Sequence, residues 1–526
     1  MNKKTDSSPL IRNFLLPHLV MATKLSLLMV AVGLWGCKEN IAQRIVGGGS
    51  CSLVAIGKKA PIATQLLASA PDRFVLRIKM VPTKFGEGEA NGGLEFASKG
   101  NECVKVLFRS KSLQLLCNSE QYTYTYPKTD EQYSELEVWR DGRVWVLQLN
   151  GEYLGGIVAP GINGPVEIKL YGCNANMSVS SWEMEAIQPV PTEKTAFGGR
   201  RLRGFSMSLG QTSIQPVELE IVHNQWNANV VNLYLRGEKM TWEHLMEKLP
   251  SFLDQAEKLK MSVVLSAQPF ANPNNAPDPK MSGKEKSAAF WANEDNLKIN
   301  IERWRDVARI CKDRKLEVRY NFLSEPLDWN DFPSFAKKSP EWSQKLIDAI
   351  REVDSHSAII VEAGPGGLCW GYKKFPLLKG KNIVYSAHSY QPHEYTHQGI
   401  KDLTMTDLAN PYMKTQVPWP SLMSGKLWDS DRLKLDLMPL FCFQQKHKVP
   451  VFVGELSVAR WAPNADRYLA DNISVLERFG WDWTYHAWKE NPIWSVEYEE
   501  TYPNAKKAES ETKRAEVLRQ MFKPNS

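Results

Sequence analysis

Glu317-Val-Arg-Tyr-Asn-Phe-Leu-Ser-Glu-Pro326 decides the reading of this chain. It is a strand-length run with β-branched and aromatic residues, and a carboxylate, Glu325, stands at its C-terminal end just before a proline that cannot continue a ladder. A second run of this kind, Val449-Pro-Val-Phe-Val-Gly-Glu455, also ends on a glutamate. Working outward, Gly204–Leu209, Val230–Leu235, Met261–Pro269, Ala358–Gly364, Asn382–Tyr390 and Asp482–Trp488 read as further strands, which makes Glu325 and Glu455 the ends of the fourth and the seventh. Stretches with helical apolar spacing lie between most of them: Trp242–Lys260, Asn296–Asp313, Ser339–Val353, Asp431–His447 and Ala465–Phe479. This alternation over residues 204–526 has the size and order of a (β/α)8 barrel in the α/β class. A doubly wound open sheet shares the alternation, but no glycine-rich fingerprint follows the first strand, which weakens a dinucleotide reading. In a barrel all strand ends converge on one face, so two acids far apart in sequence can meet there.

The region before the barrel is all β. Arg73–Lys79, Leu94–Ala97, Glu135–Arg140, Val144–Leu149 and Val166–Leu170 recur at short intervals, with Asp141-Gly142 and Asn150-Gly151 as tight turns. Residues 60–188 therefore read as a two-sheet sandwich, joined through a Pro- and Gly-containing linker, 189–203, to the barrel. The Trp139-Arg-Asp-Gly142 hairpin and the returning Leu149-Asn-Gly151 turn resemble a laminin-G or concanavalin-like jelly roll. That likeness implies either a glycan-binding module or a spacer.

The N-terminus reads as a targeting device, residues 1–36, followed by a linker, 37–59. Lys24 precedes the apolar run Leu25 to Gly36, too short to cross a bilayer as a helix, which needs about 20 residues. Leu34-Trp-Gly-Cys37 resembles a bacterial lipobox, which implies a lipid on Cys37 and anchorage at the cell envelope (outer membrane or cell surface); the twenty residues before Met21 are unlike a signal peptide, which makes Met21 an alternative start. An ordinary cleaved signal would also export the protein. Export permits disulfides. Cys51, Cys103, Cys117 and Cys173 fall in the sandwich with connectivity open, Cys103 and Cys117 flanking an expected hairpin; Cys311, Cys369 and Cys442 read as buried small hydrophobes. The net charge of +6 is small for 526 residues, and no basic block alternates with aromatics, so nucleic acid is not expected as a partner. No obligate protein partner is evident. The 18 Trp offer flat faces for the C–H faces of sugars, with Trp291, Trp329, Trp370, Trp419 and Trp461 on barrel loops.

Five segments are, in order and on the expected elements, similar to glycoside hydrolase family 5, the cellulase family. They are Trp304-Arg-Asp-Val-Ala308, Ser324-Glu-Pro326, His388-Ser-Tyr390 with Thr396-His-Gln-Gly399, Val453-Gly-Glu455, and Trp481-Asp-Trp-Thr-Tyr-His-Ala-Trp488. The resemblance implies a retaining, endo-acting hydrolase of β-linked polysaccharide that needs no cofactor or metal, with β-1,4-glucan favoured and mannan or xylan next. By that resemblance Glu455 attacks the anomeric carbon, and Glu325 serves first as acid and then as base. Two carboxyls about 5 to 5.5 Å apart would permit that direct attack. Tyr390 is expected to bond the nucleophile, His388 to contact the acid or the sugar, and Trp488 to floor the subsite of the attacked sugar. Three positions, each still expected to contact the substrate, depart from the family: Ser324 where an Asn holds the sugar 2-hydroxyl, Asn232 where an Arg braces the nucleophile, and Gln268 where a His is usual. These losses keep open a non-catalytic or weakly active glycan-binding barrel. A separate motif, His393-Glu-Tyr-Thr-His397, matches the H-E-x-x-H zinc site of metalloproteases, but that site needs a helix and Gly399 follows closely.

Overall fold

The computed structural model describes residues 44–47, 51–53, 62–85, 91–99, 102–109, 112–125, 135–236, 240–272, 278, 280–400, 416–502 and 504–525. The signal segment, Met21 and Cys37 lie outside the described residues. Eight strands close into a parallel barrel: Arg203–Ser208, Val230–Tyr234, Ser262–Ser266, Val318–Asn321, Ala358–Glu362, Ile383–Ser389, Val451–Leu456 and Asp482–Tyr485. All eight expected runs are strands; four of them stop two to five residues earlier on their C-terminal side than the apolar pattern suggests, and the other four end within one residue of it. The apolar pattern continues past the ladder because the first loop residues still line the barrel mouth. Glu325 therefore lies just beyond the fourth strand, in the left-handed region with φ 54°, which a side chain with a Cβ adopts only when the surroundings impose it.

The helices Trp242–Leu259, Glu294–Cys311, Ser339–Arg351, Ser430–His447 and Ala465–Phe479 lie within one or two residues of their expected bounds, since each presents a continuous apolar stripe to the strands. Val217–Trp226, Gly283–Ala292 and Lys513–Phe522 were not legible as helices. Gly283–Ala292 buries only Trp291, so its sequence has no apolar stripe, although its capping box of Ser282 and Glu285 is a readable start signal. The fifth crossover carries only a 3-10 turn, Cys369–Lys373.

Before the barrel, two antiparallel sheets face one another. One orders Arg44–Gly47, Ala175–Ala186, Arg73–Phe85, Leu136–Asp141, Val144–Leu149 and Glu152–Val158, with Cys51–Leu53 also on Ala175–Ala186. The other orders Ile62–Ala70, Val166–Cys173, Asn91–Ala97, Cys103–Arg109, Ser112–Leu116 and Gln121–Thr125. Phe74, Phe96, Trp145 and Phe108 fill the space between them. Cys103, Cys117 and Cys173 are free thiols. The pairing of Lys105 with Leu116 leaves Cys103 and Cys117 one position out of step across their hairpin. Cys311, Cys369 and Cys442 are buried and free, as expected of small hydrophobes.

The first sheet is apolar on its outer face too. Val75, Trp139, Val144 and Val146 join the barrel's own core, with Trp139 edge-on to Phe441 of helix Ser430–His447. At the rim of this contact sits Asp141, fully buried, 2.8 Å from Arg73, 2.6 Å from Arg478 and 3.8 Å from Lys434. Sandwich and barrel thus share a core, and residues 44–526 form one compact unit.

Candidate active site

The two glutamates meet. A carboxylate oxygen of each, together with an imidazole nitrogen of His388, lies within 4.8 Å of the others. The approach is built by a bulge in the seventh strand. The sixth strand pairs Ala387 with Val453 but His388 with Glu455, so Gly454 is skipped and Glu455 turns inward beside His388. The displaced Gly454 carbonyl is held by Thr484 Oγ1 at 2.6 Å and Asn232 Nδ2 at 3.3 Å. Asn232 also accepts from Ser266 Oγ at 2.6 Å. Asn232 is therefore a buried clamp on the backbone ahead of Glu455, below the groove, and its expected place against the sugar is corrected: it is fully enclosed by the strands.

Glu455 is buried and receives the Tyr390 hydroxyl at 2.7 Å. Burial alone would push its carboxyl upward, but His486 at 3.6 Å, His388 at 3.8 Å, Arg236 and the nearby Tyr234 hydroxyl hold it well below the usual carboxylate range. Arg236 thus supplies the positive charge that Asn232 lacks. It reaches in from two residues past Tyr234, and Glu490 Oε1 fixes its guanidinium at 2.5 Å. Burial first, and then the charge of Glu455, push the Tyr234 and Tyr390 hydroxyls well upward, so both remain donors.

Glu325 is the more open of the pair, its side chain 33% exposed. Its Oε1 lies 3.0 Å from His388 Nδ1, and Gln268 Nε2 donates to its Oε2 at 3.3 Å. Gln268 thus occupies the place of a polar brace for this carboxylate. Burial opposes a charge on His388, yet Glu362 and Glu455 outweigh it and hold this imidazole well above its ordinary range. Ser324 is buried, and its hydroxyl has no hydrogen-bond partner among the described residues.

Residues 191–492 of the 526 match Cellulase (glycosyl hydrolase family 5). The chain belongs to glycosyl hydrolase family 5. Endoglucanase 3 of Fibrobacter succinogenes is 28% identical over 169 residues, 31% of this chain and 24% of that protein. Endoglucanase C of Acetivibrio thermocellus is 23% identical over 227 residues, 38% of this chain and 63% of that protein. The matched stretches thus span less than two thirds of either relative. A solved endoglucanase structure superposes with a TM-score of 0.47 at 18% identity, covering 62% of this chain and 97% of its own.

In this family 5 barrel Trp488 is not brought to the carboxylates. It is buried against Phe205 and Trp226, and its indole N–H donates to Glu218 at 2.7 Å, so it belongs to the core behind the eighth strand. The residue from this segment that faces Glu455 is His486. The half-buried ring beside the site is Trp494, whose centroid lies 5.1 Å from that of His397, 6.2 Å from Tyr390 and 6.4 Å from His486. Trp291, Trp419 and Trp461 are buried, whereas Trp329 and Trp370 flank Phe332 in a half-buried aromatic row past Pro326.

The H-E-x-x-H segment does not form a helical zinc site. Its helix is only His393–Thr396, Glu394 accepts from Ser424, and among the described residues no third ligand gathers with the two imidazoles. His393 bonds with Gln391 and His397 with Thr396. Burial pushes His393 down to about 4, and burial with His393 nearby pushes His397 well down, so both rings are neutral walls beside Tyr390.

Four residues at the site were not singled out from the sequence: Tyr234, Arg236, Glu362 and His486. Tyr234 and Arg236 follow Asn232 at a period of two, which is the signal for one face of a strand and its extension. Glu362 closes the fifth strand as Glu325 and Glu455 close theirs.

Proposed function

We propose that this chain hydrolyses a β-linked polysaccharide by double displacement with retention of configuration, acting within the chain, with β-1,4-glucan first and mannan or xylan next. The single observation that supports this most is the approach of Glu325 and Glu455 within 4.8 Å. Retaining chemistry wants carboxyl groups about 5 to 5.5 Å apart, whereas inversion needs about 6.5 to 9.5 Å to seat a water. Glu455, held ionised and aimed by Tyr390, is the nucleophile; Glu325 gives its proton to the departing oxygen and later takes one from the resolving water. The names of the endoglucanase relatives favour a glucan. The Trp329–Phe332–Trp370 row and Trp494 are suited to stack against sugars on the two sides of the cleaved bond. The sandwich commits one face to the barrel, so any glycan it binds would meet its other surfaces. We further propose export, with a lipid on Cys37 at the cell envelope. Reducing-end release on glucan, mannan and xylan, with the product anomer read by proton NMR before mutarotation, tests the reaction. Glu455→Gln should abolish release. An inverted anomer, or glycan binding without release by the unmutated protein, would overturn the reading.

A further inference from the structure

Glu362 ends the fifth barrel strand, and the reaction as proposed makes no use of it. It is 2% exposed, yet its carboxylate is addressed by groups from the fourth and sixth strand ends. Asn321 Nδ2 donates to Oε1 at 2.7 Å, the backbone N–H of Glu325 donates to Oε2 at 2.8 Å, and His388 Nε2 lies 3.3 Å from Oε1, an ion-pair contact rather than an aligned hydrogen bond. A buried carboxylate is costly unless charge and hydrogen bonds compensate it, and here both do.

The imidazole between the carboxylates is locked. The His388 backbone N–H donates to the Gly367 carbonyl at 2.7 Å, and a Cβ added at Gly367 would stand 2.8 Å from the ring. A Cβ at Gly454, on the other side, would come within 3.2 Å of Nε2. Two glycines thus let the ring lie edge-on to both acids, Nε2 toward Glu362 and Nδ1 toward Glu325.

We propose that Glu362 is a positioning residue for the acid: its charge beside Nε2 keeps His388 an imidazolium, so that Nδ1–H faces Glu325 throughout while Glu325 carries the transferred proton itself, and it anchors the Glu325 backbone in its left-handed conformation. This rests on the acid/base reading of Glu325. As the glycosidic C–O bond breaks and Glu455 bonds the anomeric carbon, Glu325 passes its proton to the leaving oxygen, and its new carboxylate is stabilised by Nδ1–H. In the second half Glu325 removes a proton from water, the hydroxyl bonds the anomeric carbon, and Glu455 leaves. The proton count is restored. An anion behind one nitrogen raises the basicity of the other, as in other imidazole relays. The remaining titratable and charged groups that act on this cluster are Glu455, Tyr234, Tyr390, Tyr372, Arg236 and His486. Of the forces that keep a proton on His388, the charge of Glu362 is the largest.

The test is Glu362→Gln in the full chain, with two readouts. First, histidine 15N NMR should show the His388 midpoint falling by at least about one pH unit, since an anion beside it is lost. Second, kcat/KM should fall about a hundredfold for aryl glycosides with poor leaving groups, which need the acid. It should barely change for dinitrophenyl glycosides, and the basic limb of its pH profile should move to lower pH. Glu362→Asp, which keeps the charge, should restore most of the His388 midpoint, and it serves also if the Gln variant fails to fold. An unchanged midpoint, or equal losses on both substrate types, would overturn the proposal. If the unmutated protein cleaves no glycoside, the hydrolase reading falls, while the NMR midpoint still decides whether Glu362 controls His388.

Discussion

The hydroxyl of Tyr390 points at Glu455 Oε2 from 2.7 Å, although the two residues come from different barrel strands. A hydrogen bond to a charged group contributes about 1.5 to 3 kcal/mol. Tyr390→Phe should therefore lower kcat/KM by about ten- to a hundredfold while the protein melts close to the parent temperature. A loss below threefold in a well-folded variant would remove Tyr390 from the support of Glu455.

Glu455 is held well below the usual carboxylate range, so the required anion persists as pH falls. The acid limb of the pH–activity profile should lie below about pH 4.3, the ordinary glutamate value. Arg236→Met removes a positive charge, raises the carboxyl, and should move that limb upward by roughly half a unit to one unit, the side chain being partly exposed and screened. The same linkage bears on stability. A carboxyl depressed in the folded state stabilises above its unfolded value, and the contribution is lost as pH falls through the folded value. A limb that stays in place in Arg236→Met would show that this guanidinium does not act on Glu455.

Asp141→Ala should destabilise sandwich and barrel together. It leaves Arg73, Lys434 and Arg478 at a buried rim without their shared anion. Breaking a buried pair costs about 3 to 5 kcal/mol, less here because Arg478 is partly exposed. Calorimetry should show one transition several degrees lower. Two resolved transitions, of which only the sandwich's moves, would contradict the shared core.

Trp488→Ala separates a core role from a sugar floor. Removing a buried Trp costs about 3 to 5 kcal/mol, so melting should fall while KM for soluble substrate stays within about twofold of the parent. A large rise in KM at unchanged stability would restore the floor.

Prolonged chelation should leave hydrolysis unchanged, because Glu394 faces Ser424 and His393 and His397 bond to Gln391 and Thr396. Activity lost on chelation and regained with zinc would reverse this.

The barrel was legible because its signals are local. Each strand from Arg203–Ser208 to Asp482–Tyr485 is a run of enclosed side chains, and each of the five expected helices carries its apolar stripe within its own residues. The pair Glu325 and Glu455 was legible because strand-end acids of a parallel barrel share one face. Trp488 differs from expectation because only Ala487 separates it from His486, and sequence does not say which ring turns to the groove once the eighth strand has ended. Arg236 is not legible from the family pattern, because the charge enters not at the motif position, Asn232, but from a neighbouring place on the same strand extension.

The sequence by itself determined the order of strands and helices, the two acids, and the sandwich ahead of the barrel, since periodicity and turn chemistry are written in consecutive residues. Only the tertiary structure decided that a skipped Gly454 sets Glu455 against His388, that Arg236 replaces the missing brace, and that Glu362 stands behind the imidazole. Those relationships depend on distances between side chains from different strands, which barrel closure and a one-residue bulge fix and no local pattern encodes.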